Sequence, residues 1–426
     1  MNVPEVMRNR DFNLYWSGVV LSQIGTRGTV AANLYHVYSL TGSIWQTGMV
    51  GGAQAVALLV LSPLGGAYAD RIDRRKLLQW AQAGALAVAL GLSILTLTGR
   101  VEAWHVLLSV LLTTAAATFD QPARQALIPA LVPRAQLPQA FALLNPSREV
   151  AVLLGPALAG LLIAVAGPGL MYAVNAGTYL ALIVVLGLLR VPTLATNVSV
   201  GSLWQQIAIG ARFVSHRKLI WTLMSLDLSA TLFGAYRVVL PALALDVLAV
   251  GPTGYGMLSA APSAGALLAT YVVFRVVDRS RRLGRVLLIS TLMYGVSAVL
   301  LAQSPVYVAA LLAAALLGAF DAMATSIRHA AVQLETPDEL RGRVSSIYQM
   351  SSRGGPALGD VLVGAAAGVV GPVAALTGGG LVTAAYAASY LGRRNVVRTY
   401  TGVNDRVNDG DDSRTRQSAD SRPGES

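Results

Sequence analysis

Gly65-Gly66-Ala67-Tyr68-Ala69-Asp70-Arg71-Ile72-Asp73-Arg74-Arg75-Lys76 is a short basic stretch set between two long apolar runs. A loop of this kind joining two membrane-length segments stays where Arg and Lys are most often retained, the cytoplasm, and so sets the direction of every other segment. Around it, the 426-residue chain is 54% hydrophobic and only 12% charged, with a mean hydropathy of +0.57. A water-soluble core cannot hide that many apolar side chains, and the composition is that of a polytopic membrane protein. The opening Met1 to Asp11 is polar, and the first apolar run is long and lacks a small-residue cleavage site. That run is expected to be kept as a helix rather than removed as a leader.

Segments of about 20 apolar residues can be counted twelve times. Their approximate limits are 14–38, 44–68, 77–98, 104–127, 139–166 and 169–189, then 219–245, 253–276, 284–302, 305–332, 342–369 and 372–391. The expected fold is therefore all-α: a polytopic membrane protein of twelve transmembrane helices in two pseudo-symmetric six-helix halves. The halves cover 14–189 and 219–391, with a cytoplasmic N-terminus at 1–13, a polar cytoplasmic linker at 190–218 and a tail at 392–426. The tail fills with Asp, Arg, Ser, Asn and Gly, a composition that favours disorder. An even number of spans puts both termini on one side. The loops with Arg71 to Lys76, Arg134, Arg212 to Lys218, Arg279 to Arg285 and Arg341 to Arg343 share that side, whereas Arg100 faces the other, so both ends are expected in the cytoplasm.

Sliding the chain by about 200 residues exposes an internal repeat. Asp278-Arg279 with Arg281, Arg282 and Arg285 falls on Asp70-Arg71 with Arg74, Arg75 and Lys76. Phe320-Asp321 falls on Phe119-Asp120, and Gly355-Pro356-Ala357-Leu358-Gly359 falls on Gly155-Pro156-Ala157-Leu158-Ala159. The second basic loop is degenerate, with Phe274 where Gly66 stands, so the halves are related without being equivalent, as parallel repeats about a central pathway are.

Several function classes are excluded. The chain has no cysteine and four scattered histidines, His36, His105, His216 and His329, which removes disulfides, thiolate metal sites and thiol nucleophiles and leaves no ligand spacing. No ATP-binding Gly-x-x-x-x-Gly-Lys-Ser/Thr loop and no His-Glu-x-x-His occurs. The net charge of +11 sits in short loops between apolar runs, which points to anionic lipid headgroups rather than nucleic acid. No enzyme chemistry and no cofactor is expected. Energy would come from an ion gradient, with protons, a small-molecule substrate and the lipid bilayer as partners of a monomer.

The basic stretch resembles the loop between the second and third helices of the major facilitator superfamily through Gly66, Asp70, Arg71, Arg74 and Arg75; Asp73 stands where that family usually has glycine. Phe119-Asp120-Gln121-Pro122-Ala123-Arg124, followed by Pro129 and Pro133, resembles a bacterial subfamily that includes enterobactin and macrolide exporters. Gly155-Pro156 and Gly160 resemble the Gly-Pro-x-x-Gly-Gly signature of exporters, with Leu161 in place of the last glycine. A packing kink explains those three residues equally well, since small residues are common where helices approach closely. The resemblance covers about residues 8–392. It implies an alternating-access drug/proton antiporter in the cell membrane, in which Asp70 closes a gate onto a helix end or Arg124. Position alone makes Arg124 an anchor near the end of its span.

An ionised side chain deep in a bilayer costs on the order of 3 kcal/mol unless it is paired or hydrated. Counting ~1.5 Å per residue, Arg27, Glu149 and Arg353 fall near the midplane, Asp227 on its cytoplasmic side, and Arg237 and Asp360 beyond it. Interhelical ion pairing is the structural account of these six. The functional account makes Arg27, Arg237 and Arg353 cavity residues and gives proton coupling to one of Glu149, Asp227 and Asp360. A carboxyl in a dry bundle can load a proton on one side and release it on the other. Glu149 is the preferred choice because the Gly155-Pro156 kink follows it by six residues. The expected function is export of a small amphipathic organic molecule, a drug or siderophore-like metabolite, by proton antiport. Uptake or facilitated passage of a metabolite, or a transport-inactive receptor or scaffold, is the alternative.

Overall fold

A computed structural model of the chain describes residues 5–69, 73–189, 203–279, 282–393 and 395–401. The first half contains α1 (Arg10–Thr41), α2 (Ile44–Ala69), α3 (Arg74–Leu97), α4 (Ala103–Leu131), α5 (Leu137–Ala166) and α6 (Pro168–Leu188). A linker helix, α7 (Leu203–His216), leads to α8 (Lys218–Phe233) and the short α9 (Leu240–Ala242). Then come α10 (Gly251–Arg279), α11 (Leu283–Gln303), α12 (Tyr307–Leu334), α13 (Asp338–Val370) and α14 (Pro372–Gly392). With α8 and α9 taken as one interrupted span, twelve helices cross the membrane in two halves of six. Six of them, α3 to α6, α11 and α12, are apolar enough to cross on length and composition alone. Among the others, α1 carries Arg27 and α13 carries Arg353 and Asp360.

Local chemistry fixes where these helices start and turn. Asn9 caps α1 by accepting from the amides of Asp11 at 3.0 Å and Phe12 at 3.2 Å, while its side-chain amide donates to the Leu131 carbonyl at 2.8 Å and ties that cap to the end of α4. Asp73, the departure from the superfamily pattern, caps α3 by accepting from the Arg75 amide at 2.9 Å. Between α5 and α6 the chain turns at Gly167, φ +75°, before Pro168; between α13 and α14 it turns at Gly371, φ +85°, before Pro372. These Gly-Pro corners occupy matching places in the two halves and extend the repeat. Glycine takes the left-handed conformation and proline then presets the first turn.

The packing repeats as well. In the first half α3 packs on α6 and on α4, α2 on α4, and α1 on α5; in the second α11 packs on α14 and on α12, α10 on α12, and α8 on α13. The halves meet through α2 against α13 and α5 against α10. Each helix of one seam has its repeat-mate in the other.

Three segments depart from the sequence reading. The seventh span, expected to be continuous over 219–245, breaks: α8 ends at Phe233, the chain runs through Gly234 to Val239 without regular helix, and after α9 the residues Leu243–Val247 close a π-turn. The carbonyl freed at Gly234 accepts from the Tyr294 hydroxyl at 2.8 Å, and Pro241 has no N–H to offer. The linker contains α7, which packs on α13 and α8. The tail, expected to be disordered from 392, keeps order further along: Val397 is 1% exposed, and the Gly284 amide donates to the Tyr400 carbonyl at 3.0 Å.

Candidate functional site

The apolar core is divided unequally along the bundle axis. Toward the end carrying the termini there are two separate cores. One, confined to the first half, gathers Val6, Phe12, Leu78, Leu131 and Leu186. The other, confined to the second half, gathers Val214, Leu223, Leu287, Val344 and Val397. Toward the opposite end a single core runs through both halves, from Leu34, Val37 and Val50 to Val239, Leu243, Leu258 and Val363. The halves are thus joined at the remote end and part toward the termini, leaving a cleft between them.

Backbone approaches form the remote seams. A Cβ placed on Gly160 of α5 would lie 2.6 Å from the Gly256 Cα of α10, and one on Gly364 of α13 would lie 2.8 Å from the Gly48 Cα of α2. The Tyr255 hydroxyl donates to the Ala31 carbonyl at 2.8 Å, its ring lies 5.5 Å from that of Tyr35, and the Tyr38 hydroxyl donates to the Asp246 carboxylate. Gly155 faces α1, where a Cβ would lie 2.6 Å from that of Arg27. The Gly155, Pro156, Gly160 stretch therefore serves two contacts at once, α1 within its own half and α10 across the seam.

Below the seam the charges converge. Half-buried Arg27 lies within electrostatic reach of Arg148, Glu149, Arg237 and Arg353, and Arg353 is within reach of Arg148 on the facing half. Arg148, Glu149 and Arg353 are exposed in the cleft. Arg237, in the break of the seventh span, donates to Asp360 at 2.7 Å. Arg27, Arg148 and Arg353 have no carboxylate at ion-pair distance among the described residues. The arrangement can hold anionic groups by charge-assisted hydrogen bonds.

The remaining expected residues are distributed as follows. Asp227 is buried and bonded to Arg328, itself 1% exposed. Arg124 bonds Asp120 at 2.5 Å and the Ser22 hydroxyl at 3.2 Å, and Gln82 donates to the same Asp120 at 2.6 Å. Arg124 is thus part of a buried network inside the first half. In the basic stretch Arg74 donates to the Ala126 carbonyl at 3.2 Å, and Arg75 to the Gly187 carbonyl in the last turn of α6 at 2.7 Å. Gly66 lies near the end of α2, and Asp70 and Arg71 lie outside the described residues.

Arg328, Asp120 and Arg148 were not singled out from the sequence as members of buried or cleft clusters. Asp120 and Arg124 carried a usable signal in their four-residue spacing. Arg328 sits near the end of its span, where a long cation is ordinarily expected to reach for the headgroups; only the packing turns it inward to Asp227.

Residues 5–404 match the protein family described as transmembrane secretion effector. The enterobactin exporter EntS of Salmonella typhimurium strain LT2 is 29% identical over 353 residues, covering 81% of this chain and 83% of the exporter. EntS of Shigella boydii serotype 18 is 29% identical over 349 residues, covering 81% and 82%. Among solved structures, the nucleoside transporter NupG superposes with a TM-score of 0.71 at 13% identity, over 90% of this chain and 98% of that one. A bacterial homologue of the iron transporter ferroportin, in an inward-facing state, gives 0.68 at 15% identity over 89% and 99%.

Proposed function

The chain belongs to the transmembrane secretion effector family of the major facilitator superfamily, and on that premise we propose that this membrane transporter exports a small amphipathic organic molecule, drug-like or siderophore-like, by proton antiport with alternating access. The observation that carries the proposal is the division of the core, shared at the remote end and separate in each half toward the termini. A rocking of the two halves about the charged midplane would close the cleft at one end and open it at the other. The basic loops assign the open end to the cytoplasm, so substrate loads from inside, and the enterobactin exporters among the relatives favour the outward direction.

In this cycle Glu149 is the proton carrier. Asp227 and Asp360 are each held by an arginine, whereas Glu149 is exposed in the cleft without an ion-pair partner among the described residues. It can exchange a proton with water on the open side and be shielded from that water when the halves close around it.

The test uses enterobactin in inverted membrane vesicles containing the protein and acidified inside. Accumulation should require the pH gradient, collapse with a protonophore, and fail in Glu149→Gln while enterobactin binding to that variant survives. Accumulation in right-side-out vesicles alone would reverse the direction. Accumulation indifferent to the gradient would remove proton coupling, and full activity of Glu149→Gln would move the carrier to Asp227 or Asp360.

A further inference from the structure

Arg27 of α1, Arg148 of α5, Arg237 of the interrupted seventh span and Arg353 of α13 surround one cleft, opposed among the described residues by Glu149, Asp360 and the exposed Asp321 of α12, which lies within electrostatic reach of Tyr236 beside Arg237. If all are ionised, the set carries one uncompensated positive charge at membrane depth, where an unpaired charge is costly. Water in the open cleft can meet that cost. Closure around an empty site would strip the water away and leave the cations facing one another; closure around an occupant of opposite charge would not. Directly above the cluster the half-buried Tyr35 ring lies 5.5 Å from that of Tyr255 of the opposite half, itself 1% exposed and within electrostatic reach of Arg237 and Asp360.

We infer that the cleft binds an amphipathic organic anion, its acidic group clamped between Arg148 and Arg353 from the two halves and its ring system against Tyr35. This assignment rests on the transport reading for its setting and adds the charge class of the substrate. Arg237 keeps Asp360 as its partner, and Arg27 orders the floor between Arg148 and Arg237. An anion would balance the excess, so the halves could close over it without burying net charge. An organic cation would add to the repulsion and is expected to be rejected.

The test compares two dyes on one ring system: carboxyfluorescein, a polyanionic xanthene, and rhodamine 123, a monocationic one. Fluorescence polarisation on the full-length protein in detergent should give at least tenfold tighter binding of carboxyfluorescein. Arg148→Gln and Arg353→Gln should each weaken it tenfold or more, as the loss of a charge-assisted bond requires. Arg353→Lys should recover most of the affinity, which separates lost charge from lost folding. Equal binding of both dyes, preference for rhodamine 123, absence of binding by either, or unchanged affinity in both Gln variants overturns the assignment. Uptake into acidified inverted vesicles separates the two readings. Arginine-dependent binding without gradient-driven uptake sinks the antiport and spares the anion site, whereas gradient-driven uptake of rhodamine 123 alone does the reverse.

Discussion

Arg237 and Asp360, 2.7 Å apart, join the only irregular stretch of the seventh span to the helix that packs against α2 across a seam between the halves. Asp360 is 2% exposed, and its main-chain carbonyl lies 2.7 Å from where a Cβ on Gly48 would sit. Movement of the break is therefore transmitted to the seam through one ion pair. Asp360→Asn keeps the shape and removes the charge. It should leave a folded protein whose population moves toward opening at the remote end, read as a longer spin-label distance between Gln46→Cys and Val370→Cys. An unaltered distance distribution would show that the pair is only structural.

The Asp227–Arg328 pair has a different expected signature, because both side chains are almost wholly buried, at 6% and 1% exposure. Arg328→Met should destabilise by about 3–5 kcal/mol, as removing one partner strands the other charge. The double variant Arg328→Met/Asp227→Leu should recover most of that loss in thermal unfolding. If the double variant is no more stable than the single one, the damage lies in packing rather than in the stranded carboxylate.

At the Gly160–Gly256 contact a methyl group has nowhere to go, since a Cβ on either residue meets the Cα of the other at 2.6 Å. Gly256→Ala should cost about 1–3 kcal/mol in the remote-closed state and little once the seam has opened. The Gln46/Val370 label pair should again report the shift. A uniform loss of stability with no change in distance would count against a moving seam.

Tyr38 reaches from α1 to Asp246 in the π-turn of the other half. Tyr38→Phe should weaken remote closure by about 1 kcal/mol, roughly a fivefold change in the ratio of states. Asp246→Asn, which retains an acceptor, should do less. No effect of Tyr38→Phe would mean that the tyrosine acts through its ring and not its hydroxyl.

Sidedness is open to a direct check, because the chain contains no native cysteine. Thr98→Cys should react with an impermeant thiol reagent in intact cells, and exposed Ser215→Cys in the linker helix should react only after lysis. The reverse pattern would invert the topology and, with it, the direction in which the cleft opens.

The spans were legible because about 20 consecutive apolar residues have few other uses, and the two halves because Gly155-Pro156 and Gly355-Pro356 recur at one offset. The break in the seventh span was not read, although Gly234 and Pro241 lie inside it and both residues weaken a helix interior. Counting charges by depth brought to one level Arg27, Glu149 and Arg353, the first of which lies within electrostatic reach of the other two. It could not separate Glu149 from the arginine-held Asp227 and Asp360, since partner choice depends on helix rotation and on which helices become neighbours. Depth alone did not mark Arg148 as a partner of that group either: an adjacent residue on a helix points about 100° away, yet a wide cleft has room for both.

The glycines at the two seams also bear on the energy available for the cycle. Parting a pair of leucines would expose apolar surface worth about 1.5–3 kcal/mol for each side chain, whereas parting Gly160 from Gly256 and Gly48 from Gly364 exposes almost none. Contacts made by backbone alone are close in geometry but shallow in energy, so at these points the closed form has little depth to escape from. On the proposed cycle a single small cargo, through its differential affinity for the two forms, is then enough to set which way the molecule faces.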